Sequence, residues 1–254
     1  MIPKLKLFFF IALLINLGSS CKSDKGDKKN SIKENKTAQA DTYHYVYSFE
    51  MKQPGSNELV SSGSSEMYLS EKAIRSETKL EVMGQTTEMV MIVKADSPKN
   101  MIMLNSKAKT YRIINPDDLK MGGEMVEKMN DMRNDSLTVL GKEKMNGYEC
   151  THLQIVTTVD VPESIKKMIG QDSSVKEYWV SKDLPGSSVF DSWAESRPKM
   201  MRAMDSKIYQ YGIPVKMVSK EGEEINMVME LKEAKGQNQD ESLFKIPSGY
   251  TKNQ

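Results

Sequence analysis

Two cysteines and two histidines are all that this 254-residue chain offers to thiol and imidazole chemistry. So few cysteines exclude a disulfide framework. Net charge is nearly absent: 36 Lys and Arg stand against 35 Asp and Glu, a formal +1. That balance supplies neither the basic surplus of a nucleic-acid partner nor the acidic surplus of a cation store. Long apolar runs are scarce, and Leu7–Leu17 falls short of the roughly 20 residues that a spanning helix needs. The chain lacks a Gly-x-Ser-x-Gly elbow, a phosphate-cradling Gly-rich loop, a His-Glu-x-x-His and a Cys-x-x-Cys. No catalytic residue, metal ligand or cofactor site is therefore nominated, and a non-enzymatic protein is expected. His44 and His152 each fall inside an alternating strand pattern, where a hydrogen-bonded histidine is the ordinary case.

What is present begins at the N-terminus. Lys4 and Lys6, the apolar run Leu7–Leu17 and the small residues Gly18-Ser19-Ser20 are the three parts of a secretory signal over residues 1–20. Small residues running directly into Cys21 resemble the lipobox of bacterial lipoproteins, in which the cysteine becomes the acylated N-terminus. Leu17 lies four residues before Cys21, one further than in the usual box. Gly18-x-Ser20 also fits ordinary signal peptidase, which would leave Cys21 a free thiol. The expectation is an exported, membrane-anchored lipoprotein of the bacterial cell envelope, facing periplasm or outer membrane. Residues 22–41 hold one large apolar side chain, Ile32, and read as a charged tether with an r.m.s. reach of about 25 Å. With Cys21 acylated, Cys150 is left as a small buried hydrophobe; a Cys21–Cys150 disulfide is the competing reading.

From Thr42 to the C-terminus one domain is expected. Tyr43, Tyr45, Tyr47, Phe49 and Met51 alternate along the first strand. Further strands are expected at Ser65–Leu69, Ala73–Met83, Thr86–Lys94, Met101–Leu104 and Thr110–Ile114, joined by short polar turns in an antiparallel meander. Asp117–Arg133 predicts a helix with its methionines in a stripe. Ser136–Leu140 and Tyr148–Val159 predict strands around a Gly141–Gly147 turn, followed by a short helix at Val161–Ile169 and a strand at Val175–Ser181. Ser187–Met204 predicts a helix broken by Pro198. Gly212–Lys220 and Asn226–Ala234 predict a closing hairpin.

Methionine is the abundant residue, 20 in all. Met89 and Met91, Met101 and Met103, and Met227 and Met229 each place two thioethers on one face of a strand. Met125 and Met129 lie on the first predicted helix; Trp193 and Met201 lie on the last. Flexible, polarizable side chains suit a cavity that adapts to variable apolar ligands. The same residues also fit a filled core, and Met-x-Met pairs are potential Cu(I) ligands.

Four segments carry a resemblance. They are Gly141-Lys142-Glu143 with Gly147-Tyr148-Glu149-Cys150, then Tyr178-Trp179-Val180-Ser181-Lys182-Asp183-Leu184-Pro185, then Gly212-Ile213-Pro214-Val215-Lys216, and finally Leu243-Phe244-Lys245-Ile246-Pro247-Ser248-Gly249-Tyr250. Their order and spacing resemble an exported bacterial domain of unknown function, similar in architecture to LolA/LolB-type lipoprotein carriers. The resemblance implies an α+β fold: a curved antiparallel sheet forming an open half-barrel, with two or three helices covering its concave face. In those carriers the concavity holds acyl chains, so an apolar or lipid-like ligand is the implied partner. Fold alone does not set function.

Overall fold

The computed structural model describes residues 40–53, 55–56, 58–115, 133–159, 173–193 and 206–253. Its first half is a meander: β1 (Thr42–Lys52), β2 (Leu59–Leu69), β3 (Ala73–Val82), β4 (Gln85–Lys94), β5 (Met101–Asn105) and β6 (Thr110–Ile114). Its second half contains β7 (Arg133–Met145), β8 (Tyr148–Val159), β9 (Ser173–Ser181), the helix α1 (Ser187–Trp193), a 3-10 turn (Ser206–Tyr211), β10 (Ile213–Glu221) and β11 (Glu224–Gln237). A second 3-10 turn (Glu241–Phe244) and β12 (Thr251–Lys252) close the chain.

The twelve strands of the described residues form one open sheet, ordered β12-β6-β5-β4-β3-β2-β1-β11-β10-β9-β8-β7. The first and last long strands, β1 and β11, meet at its centre, so both halves of the chain zip together there. Every pairing is antiparallel except β12 with β6, which is parallel. That departs from the uniformly antiparallel expectation. The cause is the C-terminal segment, which leaves β11, crosses the sheet and returns along β6 in the same direction.

Period-two alternation sets the faces of β1, although Thr42 and His44 on the other side are buried as well. Tyr43, Tyr45, Tyr47 and Phe49 are buried on the core-facing side. Phe49 opposes Met229 on β11 and Gly63 on β2, and Tyr47 opposes Leu231 and Ser65. Gly63 is required by packing, because a Cβ there would stand 2.5 Å from the Phe49 ring and 2.1 Å from the Lys79 carbonyl. The main core continues into the second half through Leu153, Tyr178, Val180, Phe190, Trp193 and Met217. A smaller cluster of Val90, Ile92 and Leu104 lies on the other side of β4 and β5, covered by Ile246 and Tyr250. The closing Leu-Phe-x-Ile-Pro-x-Gly-Tyr segment therefore caps the back of the sheet.

Several predicted boundaries move. Residues 141–145, expected in a turn, continue β7, and the register shift between Val139 and Gly141 leaves Leu140 as the extra residue of a β-bulge. The turn shrinks to Asn146-Gly147. β2 begins six residues earlier than expected, at Leu59 rather than Ser65, because its Ser-Ser-Gly-Ser-Ser stretch takes pairing partners on both sides despite low strand propensity. Two or three covering helices were expected, whereas the described residues hold one, α1. Of the helix expected at 117–133 the last residue, Arg133, instead begins β7, and the rest of it, the helix expected at 161–169 and the continuation of the last one beyond Trp193 lie outside the described residues. Among the described residues no helix is long and apolar enough to cross a membrane.

Candidate functional site

The core-facing side of the sheet carries several tyrosines and methionines among its aliphatic residues. On β4 and β5, Met91 directly opposes Met103, and Met101 opposes Val93. Met89 sits one pleat along, opposite Thr78. On β11, Met229 opposes Phe49 and Met217, while Met227 opposes Met51 and Ser219. All six strand methionines thus share one face with the β1 aromatics. They form two groups, separated by β1, β2 and β3. Met67 on β2 and Met217 on β10 belong to the same face and were not among the predicted residues; strand alternation alone would have included them. Met125, Met129, Met201 and Cys21 lie outside the described residues.

The strip between the two methionine groups is narrow in side-chain volume. Gly63, Ser65, Ser76 and Thr78 occupy it, with the Ser65 hydroxyl 3.3 Å from that of Thr78 and 3.5 Å from that of Ser76. Met91, Met101, Met227 and Met229 are buried in the main core.

Two open clefts lie elsewhere on the sheet. One of about 700 Å³ lies along β4–β6 and is bordered by Met103, Tyr111, Arg112 and Lys107. The other, of about 770 Å³, opens at the end of the sheet where β1 begins. Both volumes suit a small ligand. The second has an apolar wall of Tyr43, Ala73, Val189 and Phe244, and a rim of both charges: Asp41, Glu71, Asp96 and Glu241 with Lys72, Lys94 and Lys245. Lys72 and Glu241 join across this rim at 2.6 Å. Their hydrogen bond raises the lysine pKa and lowers that of the glutamate. Trp193, the predicted site residue on α1, lies one helical turn beyond Val189 and donates Nε1–H to the Ser70 carbonyl (2.7 Å), which lies beside the same cleft.

The loop after β9 explains how this end is held. Tyr45 donates its hydroxyl to the Pro185 carbonyl, and Tyr47 donates to the Pro214 carbonyl at 3.1 Å. Burial raises both phenol pKa values well above the ordinary range. Gly186, at φ +81°, lies under the Tyr43 ring, and a Cβ there would sit 2.3 Å from the ring. The Leu184-Pro185-Gly186 turn thereby docks α1 onto β1.

The histidines face away from this core. His44 stacks on Tyr68 (4.4 Å between centroids) and contacts Glu66 through Nε2 at 3.1 Å. His152 stacks on Trp179 (4.2 Å) between Glu143 (2.9 Å) and Glu177 (3.3 Å). Trp179 Nε1–H also reaches Glu143, at 3.0 Å. Cys150 is a buried free thiol, and burial pushes its pKa up to about 11.

The geometry defines an open antiparallel-sheet protein with an aromatic and thioether face. The chain belongs to the family described as Domain of unknown function (DUF4412), whose model matches residues 49–250. No curated protein matches it in sequence. Among solved structures it is similar to a DUF1329 family protein from Desulfovibrio piger, at 13% identity and TM-score 0.35, covering 82% of this chain and 91% of that one. It is also similar to the Mycobacterium tuberculosis lipoprotein LppX, at 10% identity and TM-score 0.31, covering 76% and 84%. A third is described as an outer membrane lipoprotein-sorting protein domain, from Vibrio parahaemolyticus, at 12% identity and TM-score 0.30, covering 80% and 88%. Likeness at this level carries nothing about ligand or activity.

Proposed function

We propose that this is a non-enzymatic, lipid-anchored protein of the bacterial cell envelope that binds an apolar or lipid-like ligand. Cys21 carries the anchor, and residues 22–41 form its leash. The observation that carries the ligand reading is the cleft of about 770 Å³, whose apolar wall of Tyr43, Ala73, Val189 and Phe244 meets a rim of mixed charge. That is the chemistry of an amphiphile site: hydrocarbon inside, headgroup outside. None of the methionines at 89, 91, 101, 103, 227 and 229 borders this cleft; they lie with Trp193 in the interior, where thioethers can repack around chains of different shape. The test is mass spectrometry of lipids retained by the native, detergent-extracted protein. One lipid class in stoichiometric amount is expected, and protein that is consistently ligand-free would sink the reading.

A second reading is favoured by a different observation. Met91, Met101, Met227 and Met229 are already packed in the main core, as a structural or interaction module with a filled interior requires. Cu(I) binding by the Met pairs draws less support, since a buried, packed thioether is withdrawn from incoming metal.

A further inference from the structure

We propose that the β1 end of the sheet faces the anchoring membrane, and that its cleft takes a phospholipid directly from that bilayer. The inference rests on the lipid-binding reading above and adds to it an orientation, a source and a route.

The argument starts where the tether joins the domain. Ala40, Asp41, Thr42 and Tyr43 are themselves part of the cleft wall. The junction is pinned there by a reciprocal pair of hydrogen bonds: the Asp41 N–H donates to Asn238 Oδ1 (3.3 Å), and the Gln239 N–H donates to Asp41 Oδ1 (3.2 Å). The leash to Cys21 therefore begins at the mouth of the cleft and not at some remote point. Its r.m.s. reach is about 25 Å. The strands run away from the junction for much further: β11 has 14 residues, about 45 Å of extended chain. On average the cleft is the part of the domain nearest the headgroups, and the hairpin tips at the other end are the farthest.

Chemistry agrees with this placement. The rim presents Lys72, Lys94 and Lys245 beside Asp41, Glu71, Asp96 and Glu241, a mixture that meets the phosphate and ammonium of a phospholipid headgroup with complementary charge. The Lys72–Glu241 pair across the rim is exposed on both sides, so parting it costs little. The wall behind it is apolar and leads to Val189 and α1.

The two tryptophans make the proposal measurable. Trp193 lies beside the cleft, whereas Trp179 lies on β9 over His152. The acylated full-length chain is reconstituted into vesicles of phosphatidylethanolamine and phosphatidylglycerol with brominated acyl chains, which quench a nearby tryptophan without needing direct contact. Loss of Trp193 emission is expected in Trp179→Phe protein, and no loss of Trp179 emission in Trp193→Phe protein. If Trp179→Phe fails to fold, the unmodified protein serves: its quenching must vanish on Trp193→Phe replacement. Ala95→Trp fills the exposed edge of the cleft and must lower lipid uptake by the Cys21→Ser protein, read as retained lipid, without unfolding it. Unquenched Trp193 in protein that still retains lipid overturns the orientation and leaves the ligand reading intact. Unquenched Trp193 in protein that retains no lipid overturns both.

Discussion

At the scale of single residues, the tightest constraints fall on the turn that docks α1. Gly186 combines φ +81° with a Cβ position 2.3 Å from the Tyr43 ring. Gly186→Ala is expected to cost about 2–4 kcal/mol, the sum of left-handed strain and displacement of the ring, read as a lower urea midpoint. Cys150 carries the opposite kind of information. Its thiol is buried and its pKa stands at about 11, so iodoacetamide at pH 8 should leave it untouched until urea unfolds the chain. The pH dependence follows in sign. The folded state holds the proton more tightly than the unfolded state, whose thiol titrates near 9. This contribution to stability is present below pH 9 and is lost as the pH rises towards 11. Cys150→Ala should flatten that alkaline loss; an unchanged slope would assign it to other groups.

At the scale of elements, the two halves of the sheet are held by different means. The β3–β6 half has a covered back: Ile246 and Tyr250 pack on Val90, Ile92 and Leu104. Tyr250→Ala should lower stability by about 1–3 kcal/mol and speed amide exchange in β4 and β5 first. The β7–β10 half is joined instead by a polar ladder. Glu143, His152, Glu177 and Lys220 link four successive strands, with Glu177 to Lys220 at 2.7 Å. The hydrogen bond from Lys220, helped by His152, holds the Glu177 carboxyl below the ordinary carboxylate range. Stability from this pairing is present above about pH 4.5 and falls as acid protonates Glu177. Glu177→Gln should therefore remove part of the acid sensitivity, measured as the slope of melting temperature below pH 5.

At the scale of the whole molecule, the start of β1 and the segment that follows β11 belong to one wall. Asp41 is bonded to the segment that follows β11, so the start of β1 and the C-terminal crossing meet at the cleft. Replacing Cys21 with Ser should move the protein from the membrane fraction to the soluble fraction without changing its melting temperature; retention in the membrane would refute the anchor. The polarity of the molecule then has a simple basis. One end carries Ala40–Tyr43, the cleft and α1, and the other carries hairpin tips with exposed Met83, Leu59 and Ile225.

Local chemistry alone determined most of the strands. Alternation in Tyr43–Met51 and the short polar turns from Ser70 to Lys109 depend only on neighbours along the chain, and β3, β4, β5, β6 and β8 fall within a residue or so of expectation. The common face of the Met-x-Met pairs followed from the same periodicity. What lay outside local reach was everything set by distant partners. The Ser-Ser-Gly-Ser-Ser stretch becomes strand only because β1 and β3 flank it, and Gly141 stays within β7 because a bulge at Leu140 resets its pairing with β8. The closing segment gives no local sign that it crosses the sheet and pairs parallel with β6. The cleft is the clearest case. Its wall draws on residues from Ala40 to Lys245, and no window of sequence contains both. Tertiary structure alone brings Ala40 and Asp41, the turn after β2 and the C-terminal crossing to one place, because β1 and β11 pair at the centre of the sheet.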